Sequence, residues 1–316
     1  MKILANDGIS NSGIEKLSNN GFDVITISVE QGQLIDYINK NQISVLLVRS
    51  ATKVRKDIID NCNSLKIIGR GGVGMDNIDV EYAQSKGIKV INTPAASSSS
   101  VAELVMAHLY SCVRFLHISN RNMPLEGDSN FKKLKKSFAK GSELKNKTLG
   151  IIGFGRIGQE VAKLAIGVGM NVRFYDLHNK KVNLKLEFFN SNSLDINLIS
   201  DSFESTLKNS DFITLHVPAQ KKYVIGHKEF ELMKNGVGII NAARGGVIDE
   251  VALDNFISKN KISFAALDTF ENEPNPEIKL LMNPKISLSP HIGAATIEAQ
   301  DRIGLELADQ IIETLK

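Results

Sequence analysis

Thr148-Leu-Gly-Ile-Ile-Gly-Phe-Gly-Arg-Ile-Gly-Gln-Glu-Val-Ala-Lys-Leu-Ala-Ile-Gly-Val-Gly-Met-Asn-Val-Arg-Phe-Tyr-Asp176 is the stretch that decides the fold. Leu149 to Ile152 is a short apolar run and reads as a buried strand. Gly153, Gly155 and Gly158 then match G-x-G-x-x-G, and Val161, Leu164, Ala165 and Val168 recur at helix spacing. Val172 to Tyr175 is a second strand, closed by Asp176. Each glycine has its own task in this order. Gly153 permits the tight strand-to-helix turn, Gly155 lacks the Cβ that would hold a pyrophosphate off the backbone, and Gly158 lets the helix approach the strand. The helix start presents N–H groups and a positive dipole end to the phosphates. Asp176 lies eighteen residues past Gly158, where an acid accepts hydrogen bonds from ribose hydroxyls.

A bare G-x-G-x-x-G is weak, because a Gly-rich turn that binds nothing fits the same pattern. Here strand, glycines, helix, strand and terminal acid all follow in order, which favours a dinucleotide. A 2′-phosphate beside Asp176 would be repelled, so NAD is favoured over NADP. His178, Lys180 and Lys181 offset part of that repulsion.

Working outward, the chain has 316 residues, enough for two domains with sizeable cores. A net charge of +3, spread along the chain, gives no reason to expect a nucleic-acid partner. Lys133, Lys135, Lys136, Lys140, Lys145 and Lys147 form a basic stretch without the interleaved aromatics of single-strand binders, and read as solvated surface. Cys62 and Cys112 have no Cys-x-x-Cys partner and read as buried free thiols of a reducing compartment. Met1 to Ala5 is too short for a signal peptide, and the apolar helix pattern Val101 to Ile118 contains Glu103, His108 and Arg114, so no membrane span is expected. The expectation is a cytoplasmic protein.

Residues 1–97 alternate strand and helix. Ile3–Ala5, Phe22–Ile27, Ile43–Val48, Leu65–Gly69 and Ile88–Ile91 read as strands, with helices between them at Lys56–Asn61 and Val80–Ser85. Arg70-Gly-Gly-Val-Gly74 could aim backbone N–H groups at an anion, and a tight turn with no ligand is an equal alternative. Arg49-Ser50, with Lys53 and Arg55 beyond, ends the third strand where open α/β sheets bind ligands, or is ordinary basic surface. Pro94 to Ser100 reads as a small-residue hinge loop, Asn120 to Lys147 as a polar connector, and Phe188 to Phe203 as a loose insertion. Later strands are Phe212–His216, Val237–Ile240, Phe264–Leu267 and Ile286–Leu288, and Ile297–Leu315 is the last helix. The expected fold is α/β with two doubly wound parallel-sheet domains: a Rossmann NAD-binding domain, 98–296, inserted in a flavodoxin-like substrate domain, 1–97 plus 297–316.

Three polar residues each follow a strand: Arg244 in Asn241-Ala-Ala-Arg-Gly-Gly, Glu273 in Asp268-Thr-Phe-Glu-Asn-Glu-Pro, and His291 in Ser289-Pro-His-Ile-Gly. Hydride transfer at a 2-hydroxy acid needs a guanidinium for the carboxylate, an acid–base for the hydroxyl proton, and a carboxylate to favour protonated His. The three residue types meet that list. Taken singly, each has a structural alternative as a turn cap, a loop acid or a packed histidine. His108 and His117 share a helix without a metal-ligand spacing, and no metal site is expected.

Taken together, these stretches resemble the D-isomer-specific 2-hydroxyacid dehydrogenase family, in particular its D-3-phosphoglycerate dehydrogenase branch. The resemblance rests on Val48-Arg-Ser-Ala-Thr-Lys-Val54, Gly69 to Asp79, Asn92-Thr-Pro94, Leu149 to Gly158, Asn241 to Glu250, Asp268 to Pro274 and Pro290 to Thr296. It implies that Arg244, Glu273 and His291 are catalytic. Gly153, Gly155, Arg156, Ile157, Gly158, Asp176, His216, Val217, Pro218, Ala242, Asp268 and Gly293 would hold NAD, with Asp268 on the nicotinamide carboxamide. Val73 and Gly74 would offer N–H groups to the substrate, Arg244 would hold its carboxylate, and Arg49, with Ser50, would reach a substrate phosphate. It also implies a homodimer through the nucleotide domain. Ser97 stands where phosphoglycerate enzymes often carry Asn, and the chain ends at Lys316 without room for a C-terminal regulatory domain, so serine feedback through one is not expected. The expected function is oxidation of 3-phosphoglycerate in serine biosynthesis. The alternatives are a reductase of an unphosphorylated 2-keto acid (glyoxylate, hydroxypyruvate or the D-lactate type) and an NAD-sensing binding protein.

Overall fold

The computed structural model describes residues 1–316. The chain begins β1 Lys2–Ala5, α1 Asn11–Asn19, β2 Asp23–Ile25, α2 Leu34–Asn41, β3 Ile43–Val48, α3 Lys56–Asn61, β4 Ile67–Arg70, α4 Val80–Ser85 and β5 Lys89–Asn92. Three helices follow, α5 Ser98–Val113, α6 Leu116–Glu126 and α7 Phe131–Ser137. The next elements are β6 Thr148–Ile152, α8 Arg156–Gly167, β7 Asn171–Tyr175, β8 Lys181–Glu187, β9 Ser193–Ile199 and α9 Phe203–Asn209. The chain closes with β10 Phe212–Leu215, α10 His227–Leu232, β11 Val237–Asn241, α11 Glu250–Ser258, β12 Ile262–Leu267, α12 Ile278–Leu281, β13 Ile286–Leu288 and α13 Ile297–Leu315.

These elements form two compact units, Met1–Ser100 with Ala294–Lys316, and Val101–Gly293. The first has a parallel five-stranded sheet in the order β2-β1-β3-β4-β5, the flavodoxin-like arrangement. Its strands are apolar on both faces, as β3 (Ile43–Val48) shows, because helices cover both sides. On one face α13 packs Ile303, Leu307, Ala308 and Ile311 onto Ile3, Val45, Leu47 and Ile67. It crosses α1 backbone to backbone: a Cβ on Gly13 would stand 2.9 Å from the Gly304 carbonyl oxygen.

The second unit has a parallel six-stranded sheet, β13-β12-β11-β10-β6-β7. β6 is the first strand of this sheet, and the order reverses between it and β10, which makes the Rossmann switch point there. One core places α5 and α8 residues such as Val105, Leu109, Val161 and Ala165 against Leu149 and Ile151. The other gathers Leu207, Phe230, Leu253 and Phe256 with Ile213, Ile239 and Leu267.

Several sequence expectations change. The Val101–Ile118 pattern is not one helix, because Phe115 takes a left-handed φ of 57° and separates α5 from α6. Ser98–Ser100 opens α5 instead of forming a loop. The 120–147 connector contains most of α6 and all of α7. Within the supposed loose insertion, Ser193–Ile199 is β9, which pairs antiparallel with β8 just before the insertion, and Leu184 and Leu186 of β8 join the core that contains α8. No single helix is long and apolar enough to cross a membrane.

Candidate active site

The residues picked out in the second unit line the carboxyl edge of its sheet, each just past a strand end. At β6, Gly153 has φ +91°, and a Cβ there would stand 2.5 Å from the His216 carbonyl oxygen. Gly155 is exposed, and a Cβ on it would meet nothing within 4 Å. A Cβ on Gly158 would lie 2.3 Å from the Gly153 carbonyl oxygen. The first and third glycines are thus required by the protein's own backbone, whereas the second leaves open space before the first turn of α8. Helix geometry leaves the N–H groups of Arg156, Ile157 and Gly158 without intrahelical partners.

At β7, Asp176 Oδ2 accepts the Phe154 N–H at 2.6 Å, and Oδ1 accepts those of His178 and Asn179 at 2.8 Å. Burial pushes this carboxyl up, but the Asn179, Phe154 and His178 N–H groups and the His178 charge outweigh it, so it sits below the usual carboxylate range. A carboxylate offers about four lone-pair directions, which leaves roughly one for a ribose hydroxyl. After β10, His216 Nε2 lies 3.0 Å from Thr214 Oγ1, and its buried Nδ1 has no partner. Burial drives its pKa down to about 3, so the ring is neutral. Val217 is half-buried and Pro218 exposed beside it. Open space over Gly155, free helix-start N–H groups, an acid at the next strand end and an orphaned ring nitrogen together fit a dinucleotide.

The other half of the edge carries charge. Asn241 braces the turn after β11: its Nδ2 donates to the Arg244 carbonyl at 2.9 Å and its Oδ1 accepts from Ala243 N at 3.1 Å. Ala242 is buried at the start of this turn. A Cβ on Gly245 would stand 1.8 Å from the Phe270 carbonyl oxygen, so the Arg244 turn lies directly on the loop that carries Glu273. Glu273 Oε1 accepts the Phe270 N–H at 2.9 Å and Oε2 lies 2.8 Å from His291 Nδ1. Burial raises the Glu273 carboxyl, but the His291 and Phe270 hydrogen bonds and the nearby charges of His291 and Arg244 bring it below its ordinary value. Arg244, Glu273 and His291 are therefore brought together. A cavity of about 370 Å³ lies over Glu273, Pro274, Pro276, Leu281, Pro290 and His291.

Asp268 is 1% exposed and works within the protein. Its Oδ1 accepts from the Ser289 hydroxyl at 2.6 Å and the Ile292 N–H at 2.9 Å, and its Oδ2 accepts the Gly293 N–H at 2.9 Å. Sequence reasoning missed two further acids. Glu250 and Glu271 each accept the other's backbone N–H, at 2.9 and 3.1 Å, and tie the start of α11 to the loop that carries Glu273. Burial raises Glu250 to about 7, with Glu271, Glu277 and Glu273 adding to the effect. Glu250 follows the helix-capping Asp249, so in sequence it reads as a first-turn acid.

In the first unit, Asp7 accepts the Arg49 and Thr52 N–H groups at 2.6 and 3.1 Å, and Asn77 donates to the Arg49 and Thr52 carbonyls. These bonds fix the Arg49-Ser50 turn. Asn92 Nδ2 donates to the Val73 carbonyl at 2.8 Å, which anchors the turn that leads into Gly74. Arg49 and Arg70 lie along this Gly71-Gly72 turn: a Cβ on Gly71 would be 3.6 Å from Arg49 Cγ, and one on Gly72 would be 1.8 Å from Arg70 Nη1. Ser97 is buried at the start of α5.

The family model described as "D-isomer specific 2-hydroxyacid dehydrogenase, NAD binding domain" matches residues 106–293. The chain belongs to this family. It is an NAD-dependent oxidoreductase. It is 42% identical to a hydroxypyruvate reductase of Thermotoga maritima, over 99% of this chain and 98% of that protein. It is 41% identical to a D-3-phosphoglycerate dehydrogenase of Methanocaldococcus jannaschii, over 100% of this chain but 58% of that longer protein. Among solved structures, NAD+-bound 3-phosphoglycerate dehydrogenase of Entamoeba histolytica superposes with a TM-score of 0.76 at 26% identity, covering 99% of this chain and 94% of that one.

Proposed function

We propose that this dehydrogenase oxidises 3-phosphoglycerate to 3-phosphohydroxypyruvate, the entry to serine biosynthesis. The observation that carries this reading is the pair Arg49 and Arg70, two arginines whose side chains border one glycine turn, residue types suited to a phosphate. NAD, when bound, supplies the hydride acceptor. The glycine turn and the α8 N-terminus would hold its pyrophosphate, and Asp176 its ribose. Arg244 grips the substrate carboxylate with two parallel hydrogen bonds. His291 keeps a proton on Nδ1, donated to the Glu273 carboxylate at 2.8 Å, so its Nε2 lone pair accepts the hydroxyl proton as hydride leaves the same carbon. Glu273 remains a carboxylate throughout and stabilises the imidazolium, an enzyme role that a purely NAD-sensing protein would not need.

The likeness to hydroxypyruvate reductase over nearly its whole length supports a second reading, reduction of an unphosphorylated 2-keto acid. NAD-linked turnover of 3-phosphoglycerate, D-glycerate and D-lactate, with their keto acids, separates the two. Preference for the phosphorylated pair, lost selectively in Arg49→Ala and Arg70→Ala, supports the first. Equal losses on hydroxypyruvate would remove the phosphate role and leave the second. The reading extends to a homodimer formed through α6 and α7, supported by the exposed apolar side chains Leu116, Met123, Leu125 and Phe131. Light scattering on the purified chain tests it.

A further inference from the structure

His108 lies on α5, outside the residues assigned above, and is only 6% exposed. Both ring nitrogens are engaged: Nδ1 is 2.9 Å from Ser287 Oγ and Nε2 is 2.8 Å from Ser289 Oγ. Ser289 also bonds Asp268 Oδ1, at 2.6 Å. A proton count fixes the direction of this chain. A carboxylate only accepts, so the single Ser289 proton goes to Asp268. Ser289 Oγ must then accept from His108, which places the ring proton on Nε2 and leaves Nδ1 to accept from the Ser287 hydroxyl. The chain therefore runs from Ser287 to His108 to Ser289 to Asp268, every link satisfied and all of it buried. Burial lowers the His108 pKa against the opposing pull of Asp268, with His117 adding to the lowering, which agrees with the neutral ring this count demands.

What the chain holds is the acid–base loop. Asp268 accepts the N–H groups of Ile292 and Gly293, the two residues that follow His291. His291 itself has φ +53°, in the left-handed region that an L side chain enters at a free-energy cost. Its backbone must be held there from outside, and Asp268 is the group that bonds the loop beyond it. We propose that His108 is a positioning residue for the reaction: through Ser289 it orients Asp268, and through Asp268 it sets the angle at which His291 meets Glu273. His108 touches neither substrate nor cofactor in this arrangement. The inference rests on the acid–base role given to His291 above.

The test uses the full-length enzyme with NAD and its best 2-hydroxy acid. His108→Leu removes both ring bonds while filling similar volume. His108→Gln carries an N–H that reaches the Nε2 position and restores the link to Ser289. The expected result is a kcat reduced about tenfold in His108→Leu, with substrate KM changed less than threefold, and most of the kcat recovered in His108→Gln. Ser289→Ala and Ser289→Thr repeat the comparison from the other side, removing and keeping the hydroxyl, and serve if His108→Leu does not fold. Unchanged kcat in a folded His108→Leu or Ser289→Ala enzyme overturns the proposal. So does a loss of kcat that follows melting temperature and is the same in the Leu and Gln variants. His291→Asn guards the underlying reading: if that variant keeps full turnover, the acid–base assignment itself fails, whatever the His108 series shows.

Discussion

Gly155→Ala separates a ligand's requirement from a fold's. A Cβ at position 155 meets nothing within 4 Å, and the backbone there, φ −73° and ψ −162°, is ordinary for an L residue. Alanine therefore introduces no clash. Its effects on the fold are the weaker N-cap preference of alanine and the reduced entropy of the unfolded chain, which oppose each other within about 1 kcal/mol. The melting temperature should move by no more than about 4 °C. The methyl group would, however, stand between a pyrophosphate and the N–H groups of Arg156 and Ile157. Losing two charge-assisted hydrogen bonds at about 1.5–2 kcal/mol each weakens NADH binding roughly 100- to 1,000-fold. Calorimetric titration with NADH beside a thermal melt measures both quantities. Gly158→Ala should behave in the opposite way, since its Cβ would sit 2.3 Å from the Gly153 carbonyl oxygen and β6 and α8 must part. That overpacking costs about 1–3 kcal/mol or more, with or without cofactor. A folded Gly155→Ala protein that binds NADH within threefold of the parent would refute the pyrophosphate placement.

Glu273→Gln keeps an acceptor for the Phe270 N–H and loses the charge facing His291; kcat should fall about 100-fold with little change in KM, and steady-state kinetics showing a change below threefold would remove Glu273 from the proton step. Glu250→Gln tests the raised carboxyl. Between its ordinary 4.5 and about 7 the folded protein holds a proton that the unfolded chain has released, so stability falls as pH rises through that window, and the penalty is complete above it. The substitution should therefore stabilise the protein by about 2 kcal/mol at pH 8 and by almost nothing near pH 4.5, as read from melts across pH; a pH-independent difference would show that Glu250 is already ionised at no cost.

The cofactor turn was legible in the sequence because its physics is local. Gly153 to Asp176 encodes a turn, a close approach and a strand end within one βαβ unit, and the structure has Gly153 at a positive φ, open space at Gly155 and Gly158 pressed against the Gly153 carbonyl. Arg244, Glu273 and His291 were legible as residues that follow three strands, which parallel order then sets side by side. The break at Phe115 was not, because neither Gly nor Pro marks it and the apolar spacing runs through it. The hairpin did carry a signal: Val182, Leu184 and Leu186 alternate with Asn183, Lys185 and Glu187, a period of two partly masked by the Asn- and Ser-rich turn that follows. His108 could not be found this way, since its partners lie 179 and 181 residues further along the chain.

The order β13-β12-β11-β10-β6-β7 also bears on how this enzyme can change. His291 follows one edge strand and Asp176 ends the other, five strand spacings apart, or about 24 Å at 4.8 Å each. Substitutions that far apart with no shared partners contribute to free energy almost independently. With the roles proposed for Asp176 and His291, cofactor preference at the β7 edge and proton chemistry at the β13 edge can therefore be altered one at a time, and variants selected for each can be combined with little correction for the other.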